Sequence, residues 1–230
     1  MSKIKIFLFF LLCAAPLLSQ DNLAPILGGM VESDSWIIRK DKNEEEFIGN
    51  VRYENENFKI KADRALSRRA AQEFTIEGEV YAQYTSADAQ AALKAERVFY
   101  SQAKDTGYAT AKKNKQVEAA YNITDGASYK LYGDRLDFAD KFTQYKMTGW
   151  AELSDNNNTL YAGQMDFDFN TGIFEATRNR PLMWGFTDDG DYAVQADTIT
   201  ARTREGLYRA EGRVQGWVTA AKDLDGLTNK

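Results

Sequence analysis

Ile60-Lys61-Ala62-Asp63 is followed, fifteen positions after its aspartate, by Gly78. The same skeleton returns as Leu131-Tyr132-Gly133-Asp134 with Gly149, and as Val194-Gln195-Ala196-Asp197 with Gly212. Each tetrad reads apolar, any residue, small, Asp. An aromatic stands four before each glycine (Phe74, Tyr145, Tyr208), and an apolar or small residue two before it (Ile76, Met147, Ala210). Six matched positions in three copies mark a repeated unit. Repetition of one short unit builds a stacked or rolled architecture rather than a catalytic globule.

The unit reads as a β-hairpin. Phe74, Ile76, Gly78, Val80, Ala82 and Tyr84 alternate with Thr75, Glu77, Glu79, Tyr81 and Gln83, the period of a strand with one buried face. Ala210, Gly212, Val214, Gly216 and Val218 alternate in the same way, and Ile60 and Ala62 alternate with Lys59, Lys61 and Asp63. Two such strands joined by about ten residues make a hairpin. The recurring Asp63, Asp134 and Asp197 fall on the polar face, as structural groups bonding neighbouring backbone near a strand end.

Weaker copies fill the gaps. Leu93-Lys94-Ala95-Glu96 carries Glu for Asp and lacks its glycine, and Leu160-Tyr161-Ala162-Gly163 carries Gly for Asp. Intervals between copies vary from 29 to 38 residues, which suits hairpins with unequal loops and not a strict solenoid. Phe47–Tyr53 and Arg209–Ala221 read as half-units at the ends. Helix propensity competes at two places, Ala87–Val98 and Ala109–Ala120, both rich in Ala, Lys, Glu and Gln. The repeat register makes the first a strand carrying Leu93, Ala95 and Arg97. The second is left undecided.

Residues 1–20 read as a cleaved export signal. Lys3 and Lys5 precede an apolar run from Ile6 to Leu12 that is too short to span a bilayer, with a break at Pro16 and cleavage after Ser19 or Gln20. An uncleaved anchor, or lipid attachment at Cys13, are the alternatives. Residues 21–35 read as a leader, 36–221 as one domain and 222–230 as a tail. Loss of Lys3 and Lys5 takes the formal charge from −5 to −7. Beyond Cys13 the chain has neither Cys nor His, so it holds no Ser–His or Cys–His nucleophile and no imidazole metal site. The carboxylate clusters Glu44-Glu45-Glu46 and Asp188-Asp189-Gly190-Asp191 read as solvated charge at turns. No enzyme and no cofactor are expected, and an acidic chain without a basic stripe is not a nucleic-acid binder.

Phe47-Ile48-Gly49-Asn50-Val51, then Ile60-Lys61-Ala62-Asp63-Arg64-Ala65, then Ile76-Glu77-Gly78-Glu79-Val80 together resemble the signature of the OstA-like family. This is the periplasmic lipopolysaccharide-transport family of LptA, LptC and the LptD N-terminal domain. The resemblance covers roughly residues 35–220 and is most specific over 47–80. It implies an all-β fold, an antiparallel β-jellyroll of repeated hairpins forming an open V-shaped groove. It also implies acyl chains of lipopolysaccharide or a related glycolipid in that groove, and end-to-end strand addition bridging inner and outer membranes in the periplasm. LptC-like and LptD-like proteins would flank it. A cleavable signal looks more like LptA than like an anchored LptC.

The expected groove residues are Val51, Ile60, Phe74, Ile76, Val80, Leu93, Leu131, Met147, Val194 and Val214. The expected joining edges are Trp36 and Ile38 at one end, Arg213 and Gln215 at the other. Burial at ~0.8 kcal/mol per methylene would hold alkyl chains without any basic residue. An ordinary sandwich core would use the same apolar residues. Two other functions compete: a small outer-membrane β-barrel, and a glycan- or surface-binding module using Trp36, Trp150, Trp184 and Trp217, although scattered tryptophans are more often packed.

Overall fold

The computed structural model describes residues 30–220 except 88, 124–127, 141, 169, 188–189, 203–204 and 206. The expected signal (1–20) with Cys13, most of the leader, the tail and the Asp188-Asp189 pair lie outside the described residues. The described residues contain eighteen strands and no helix. In chain order they are β1 (Met30–Glu32), β2 (Ser35–Arg39), β3 (Glu44–Glu54), β4 (Phe58–Arg68), β5 (Glu73–Thr85), β6 (Ala89–Ser101), β7 (Thr106–Thr110), β8 (Val117–Ile123) and β9 (Ser128–Gly133). The remainder are β10 (Arg135–Ala139), β11 (Gln144–Ser154), β12 (Asn158–Asp168), β13 (Ile173–Thr177), β14 (Leu182–Thr187), β15 (Gly190–Gln195), β16 (Thr198–Arg202), β17 (Leu207–Glu211) and β18 (Gln215–Ala220).

These are twelve bent strands. Six run uninterrupted through the bend (β3, β4, β5, β6, β11, β12), and the others are split at it into pairs of half-strands (β1/β2, β7/β8, β9/β10, β13/β14, β15/β16, β17/β18). Every pairing is antiparallel. The halves on one side of the bends form a first wall, from β2 through residues 44–48, 64–68, 73–77 and 97–101 to β7, β10, 144–148, 164–168, β13, β16 and β17. The halves on the other side form a second wall, from β1 to β18. Their apolar faces meet in one core cluster, with Leu136, Phe138 and Met165 of the first wall packed with Tyr129, Leu131 and Leu153 of the second. This is the rolled architecture that the repeat anticipates and the jellyroll that the family resemblance implies.

The repeat is the bend. At each one, a single residue on one strand opposes two on the next: Asp63 faces Gly49-Asn50 on one side and Gly78-Glu79 on the other, and Gly163 faces Gly149-Trp150. Such a bulge turns the strand sharply. Both residues of each pair are left-handed: Gly49 and Asn50 at φ 76° and 48°, Gly78 and Glu79 at 79° and 45°, Gly149 and Trp150 at 79° and 47°. The aspartate side chain lies against the bare glycine Cα, Asp63 on Gly78, Asp134 on Gly149 and Asp197 on Gly212. The Asp134 and Asp197 amides donate to the carbonyls of Gly149 (3.2 Å) and Gly212 (2.9 Å). Asp63 therefore marks a corner within a strand, and Asp134 and Asp197 mark corners at the ends of half-strands.

A fourth full corner precedes the three read from sequence. Val31-Glu32-Ser33-Asp34 has Gly49 fifteen residues on, and Asp34 packs on Gly49 with its amide donating to the Gly49 carbonyl at 2.9 Å. Among the described residues the sheet accordingly starts at Met30, ahead of residue 36. Where the glycine is missing, the strand breaks instead. The positions fifteen after Glu96 and Gly163 are Ala111 and Arg178. Residues 111–116 separate β7 from β8, and Arg178-Asn179-Arg180, all left-handed (φ 61°, 57°, 51°), separate β13 from β14.

Neither helix-prone stretch is helical: the first is strand from Ala89 on, and the second is strand at both ends with a turn between, at residues 111–116. Residues 89–101 are β6, paired with β5, β7 and β8, and 117–123 are β8. Cross-strand pairing outweighs a propensity difference of a few tenths of a kcal/mol per residue. The hairpin loops are shorter than the ten residues expected, because the strands extend past the motif: four residues, 69–72, join β4 to β5.

Gly149→Ala should lower stability by at least about 2 kcal/mol, since the new Cβ meets the Asp134 carboxylate at a left-handed position. Gly216→Ala, whose Cβ would come no nearer than 3.9 Å to the Ala193 carbonyl, should cost less than about 1 kcal/mol. Urea unfolding checks both, and equal costs would remove the corner its role.

Candidate functional site: a half-open apolar trough

The inner face of the first wall follows from the register as two rows running across the strands. One is Phe47, Ala65, Ile76, Val98, Ala109, Leu136, Met147, Met165, Ala176, Ile199, Ala210. The other, nearer the hairpin turns, includes Phe74, Tyr100, Gly107, Phe138, Tyr145, Phe167 and Phe174. Both rows are mainly apolar, with Glu45 and Ser67 in the second at β3 and β4, but burial changes sharply along them. From β2 to β6 the positions are half-buried or exposed; from β7 to β16 they are buried, Ala109 and Ala176 at 0% and Leu136 and Met147 at 1% exposed. The second wall changes one strand earlier: Phe58, Ile60, Ala82 and Tyr84 on β4 and β5 are half-buried, whereas Ala91 and Leu93 on β6 are already buried, as are Ala119 and Tyr121 on β8.

The molecule thus has a solid centre and an apolar trough at its N-terminal end. Aromatic pairs stand on both banks. Trp36 stacks on Phe47 (centroids 5.8 Å apart, planes within 4°) and Phe58 meets Tyr84 at 4.8 Å. Trp36 is 58% exposed, so the pair presents a flat apolar surface rather than filling a core.

The sequence-expected groove residues divide accordingly. Ile60, Phe74 and Ile76 line the trough, and Val51 and Val80 are buried beside its bends. Leu93, Leu131 and Met147 are packed core (3%, 7% and 1% exposed), because an opposing wall covers them. Val194 lies half-buried on the inner face towards the C-terminal end, across from Met183. Val214 lies in the last corner between β17 and β18, 52% exposed, outside the closed interior. Reasoning from sequence did not find Phe47, Phe58, Ala65, Val98 and Tyr100. The alternation slips by one at each corner on β4 and β6, so Arg97 points out while Val98 and Tyr100 point in. Allowing for that slip at Glu96 would have found the last two.

The outer face of the same strands is a charge ladder. Glu46 receives Arg39 and Arg64 (both 2.6 Å), Arg64 reaches Glu77 (2.9 Å), and Arg97 reaches Glu77 (3.4 Å). Glu44 pairs with Arg68 at 3.2 Å on this face, while Glu45, on the inner face with Phe47, reaches Arg69 of the following turn at 2.5 Å. Glu44-Glu45-Glu46 is therefore not a solvated run at a turn: it opens β3, with arginines supplied by its neighbours. Glu46 is 4% exposed, covered by two guanidinium groups rather than by depth. Their hydrogen bonds hold its carboxyl below the usual range, and its burial only partly opposes them. Among the described residues, no group of three or more acidic, His or Cys side chains is placed to hold a metal.

Both ends of the sheet are edges. Among the described residues, β1 and β2 pair only with β3, β17 only with β16, and β18 only with β15. Trp36 and Ile38 are exposed on β2, at 58% and 48%. At the far end Arg213 chelates Asp197 (2.7 and 3.0 Å) and Gln215 accepts from Arg180 (3.3 Å), both still exposed. All four tryptophans are at least one-third exposed (Trp36 58%, Trp150 70%, Trp184 36%, Trp217 53%), against the expectation of packing.

A rolled, two-walled β-sheet with a repeated corner and an apolar inner face is the setting in which the sequence comparison falls. The family described as LptA/(LptD N-terminal domain) LPS transport protein matches residues 30–173, from the first strand through the solid centre. The chain belongs to this family. It is a non-enzymatic lipid-transport family, and its proteins are periplasmic. No curated protein matches the chain. Among solved structures, the chain is similar to LptH of Pseudomonas aeruginosa, the LptA homologous periplasmic component of the conserved lipopolysaccharide transport device. Identity is 14%, over 65% of this chain and 82% of that one, with a TM-score of 0.27. The assignment rests on the family match.

A depressed carboxylate pKa stabilises the fold above the unfolded value, and that stabilisation is lost as pH falls through the folded one. Wild type should therefore lose stability on acidification below about pH 4.5, more steeply than Glu46→Gln, in denaturant midpoints taken from pH 7 to 3. Parallel profiles would mean that Glu46 is uncoupled from folding.

Proposed function

We propose that this member of the lipopolysaccharide-transport family shields the acyl chains of lipopolysaccharide, or of a related glycolipid, in the trough between β2 and β6. The proposed lining is Trp36, Phe47, Phe58, Ile60, Phe74, Ile76, Tyr84 and Val98. The observation that carries this reading is an inner face of core composition left uncovered by an opposing wall. Removing a dozen methylenes from water there is worth on the order of 10 kcal/mol gross, less the ordering cost. No cofactor or catalytic group takes part. Export through residues 1–20 would place the protein in the periplasm, between inner-membrane LptC-like and outer-membrane LptD-like partners.

The reading extends to assembly. The unpaired backbone of β2 at one end and of β17 and β18 at the other would join copies or partners by strand addition, continuing both walls across the joint and bridging the two membranes.

Photoreactive residues placed at Ile76, Phe74 and Val98 in the native envelope should crosslink to lipopolysaccharide, while Met147 in the solid centre and outward Glu77 should not. Adducts at none of the three trough positions in a folded protein would sink the carrier reading. Separately, sedimentation velocity should show concentration-dependent oligomers that Ile38→Lys weakens tenfold or more. A wild-type protein that stays monomeric at high micromolar concentration would eliminate self-association.

A further inference from the structure

The trough does not fade into the solid centre; it ends on a wall of rings. Tyr100, on β6, is the half-buried aromatic of the second inner row that adjoins the buried centre. The next strand, β7, puts Gly107 in that row, and the strand after it puts Phe138 there. A Cβ on Gly107 would overlap the Phe138 ring, so the phenyl group leans one strand back towards the trough, over the glycine. It comes within 6.1 Å of Tyr100, centroid to centroid. Phe142 arrives from the turn between β10 and β11. Its backbone is left-handed (φ 62°), unusual for a bulky residue, and its ring stacks on Tyr100 and Phe138, each at 5.1 Å. Tyr100 is fixed in turn by its hydroxyl, which donates to Asp105 at 3.0 Å.

We propose that Tyr100, Phe138 and Phe142 form a stopper that closes the inner end of the trough and sets the longest alkyl chain it accepts. This rests on the carrier reading above and adds to it a limit on chain length. From β2 to β6 the first wall takes four inter-strand steps of about 4.8 Å, or about 19 Å. With C–C bonds of about 1.5 Å and near-tetrahedral angles, an extended chain advances about 1.25 Å per methylene, so about fifteen carbons fill the trough. Gly107 is the specificity-determining position in the backbone, because any side chain there would displace the ring. Phe138 and Phe142 determine specificity in the side chains. Trp36 and Phe47, at the open end, add affinity without setting length.

The test is a competition series with saturated fatty acids of about ten to twenty carbons, a range bracketing the fifteen-carbon limit. They displace a fluorescent naphthyl probe from the purified protein below their micellar concentrations. For wild type, affinity should rise about fourfold per methylene and level off near fifteen carbons. Phe138→Ala should move the plateau out by about four carbons, one further strand spacing. Phe142→Ala, a change in a turn that leaves the buried block intact, should move it in the same direction. Trp36→Ala should weaken every length and leave the plateau in place. Met147 gives a second readout: its methyl carbon signal should be insensitive to bound acid in wild type and shift with long acids in Phe138→Ala. An unmoved plateau in folded Phe138→Ala and Phe142→Ala overturns the stopper while leaving the trough. A wild type that binds no acid of any length overturns the trough itself.

Discussion

The architecture hangs on one contact, an aspartate side chain laid on the bare Cα of a glycine in the next strand. A sheet of twelve antiparallel strands left to its own twist would expose one whole apolar face. The corner prevents this by placing two left-handed residues opposite a single one at the middle of the strand, which folds each strand into two halves and sets the two inner faces against each other. Glycine meets two demands at once. It adopts positive φ without strain, and it leaves the space that the carboxylate occupies. The places that break the rule support it. At Ala111 and at Arg178 the strand cannot take the corner in two residues and leaves the sheet for several.

Once the walls face each other, the fate of an inner residue depends on what stands across from it. Ile76 and Met147 hold the same place in the repeat, two before the corner glycine, on the same row of the same wall. Met147 is 1% exposed and Ile76 is half-buried. Their side chains are comparable in size and polarity, so the difference belongs to the fold and not to the residue. An apolar carrier surface, on this view, is a stretch of core whose partner wall has been withheld.

That also marks the boundary of what the sequence can tell. The hairpin unit, the antiparallel pairing, the single rolled domain and even the weak copies at Leu93 and Leu160 could be read directly, because spacing records backbone geometry. The first corner, at Asp34, escaped because Glu45 stands where the other copies carry an aromatic, and because it adjoins a polar leader. The inner face of β6 was read only as far as the corner. Glu96 shifts the phase, so strict alternation puts Arg97 inside and misses Val98. The division between trough and core was not legible at all: it depends on whether the facing wall covers a residue, which spacing along the chain does not record.

Leaving strands β2 to β6 without a packed inner face removes stabilisation from them, and the outer face of the same strands carries the compensation. Arg39, Glu46, Arg64, Glu77 and Arg97 form one continuous ladder across them, with Glu44–Arg68 beside it. On the outer face of the solid half, the described residues show isolated pairs such as Lys146–Asp166 and Arg135–Asp137. One exposed ion pair contributes little, on the order of 0–1 kcal/mol, but a shared network with a covered carboxylate at its centre holds strands in register without help from within. The charge on the outside is thus what permits an apolar inside to remain vacant for a ligand. Strengthening the inner packing of these strands would stabilise the wall by closing the trough.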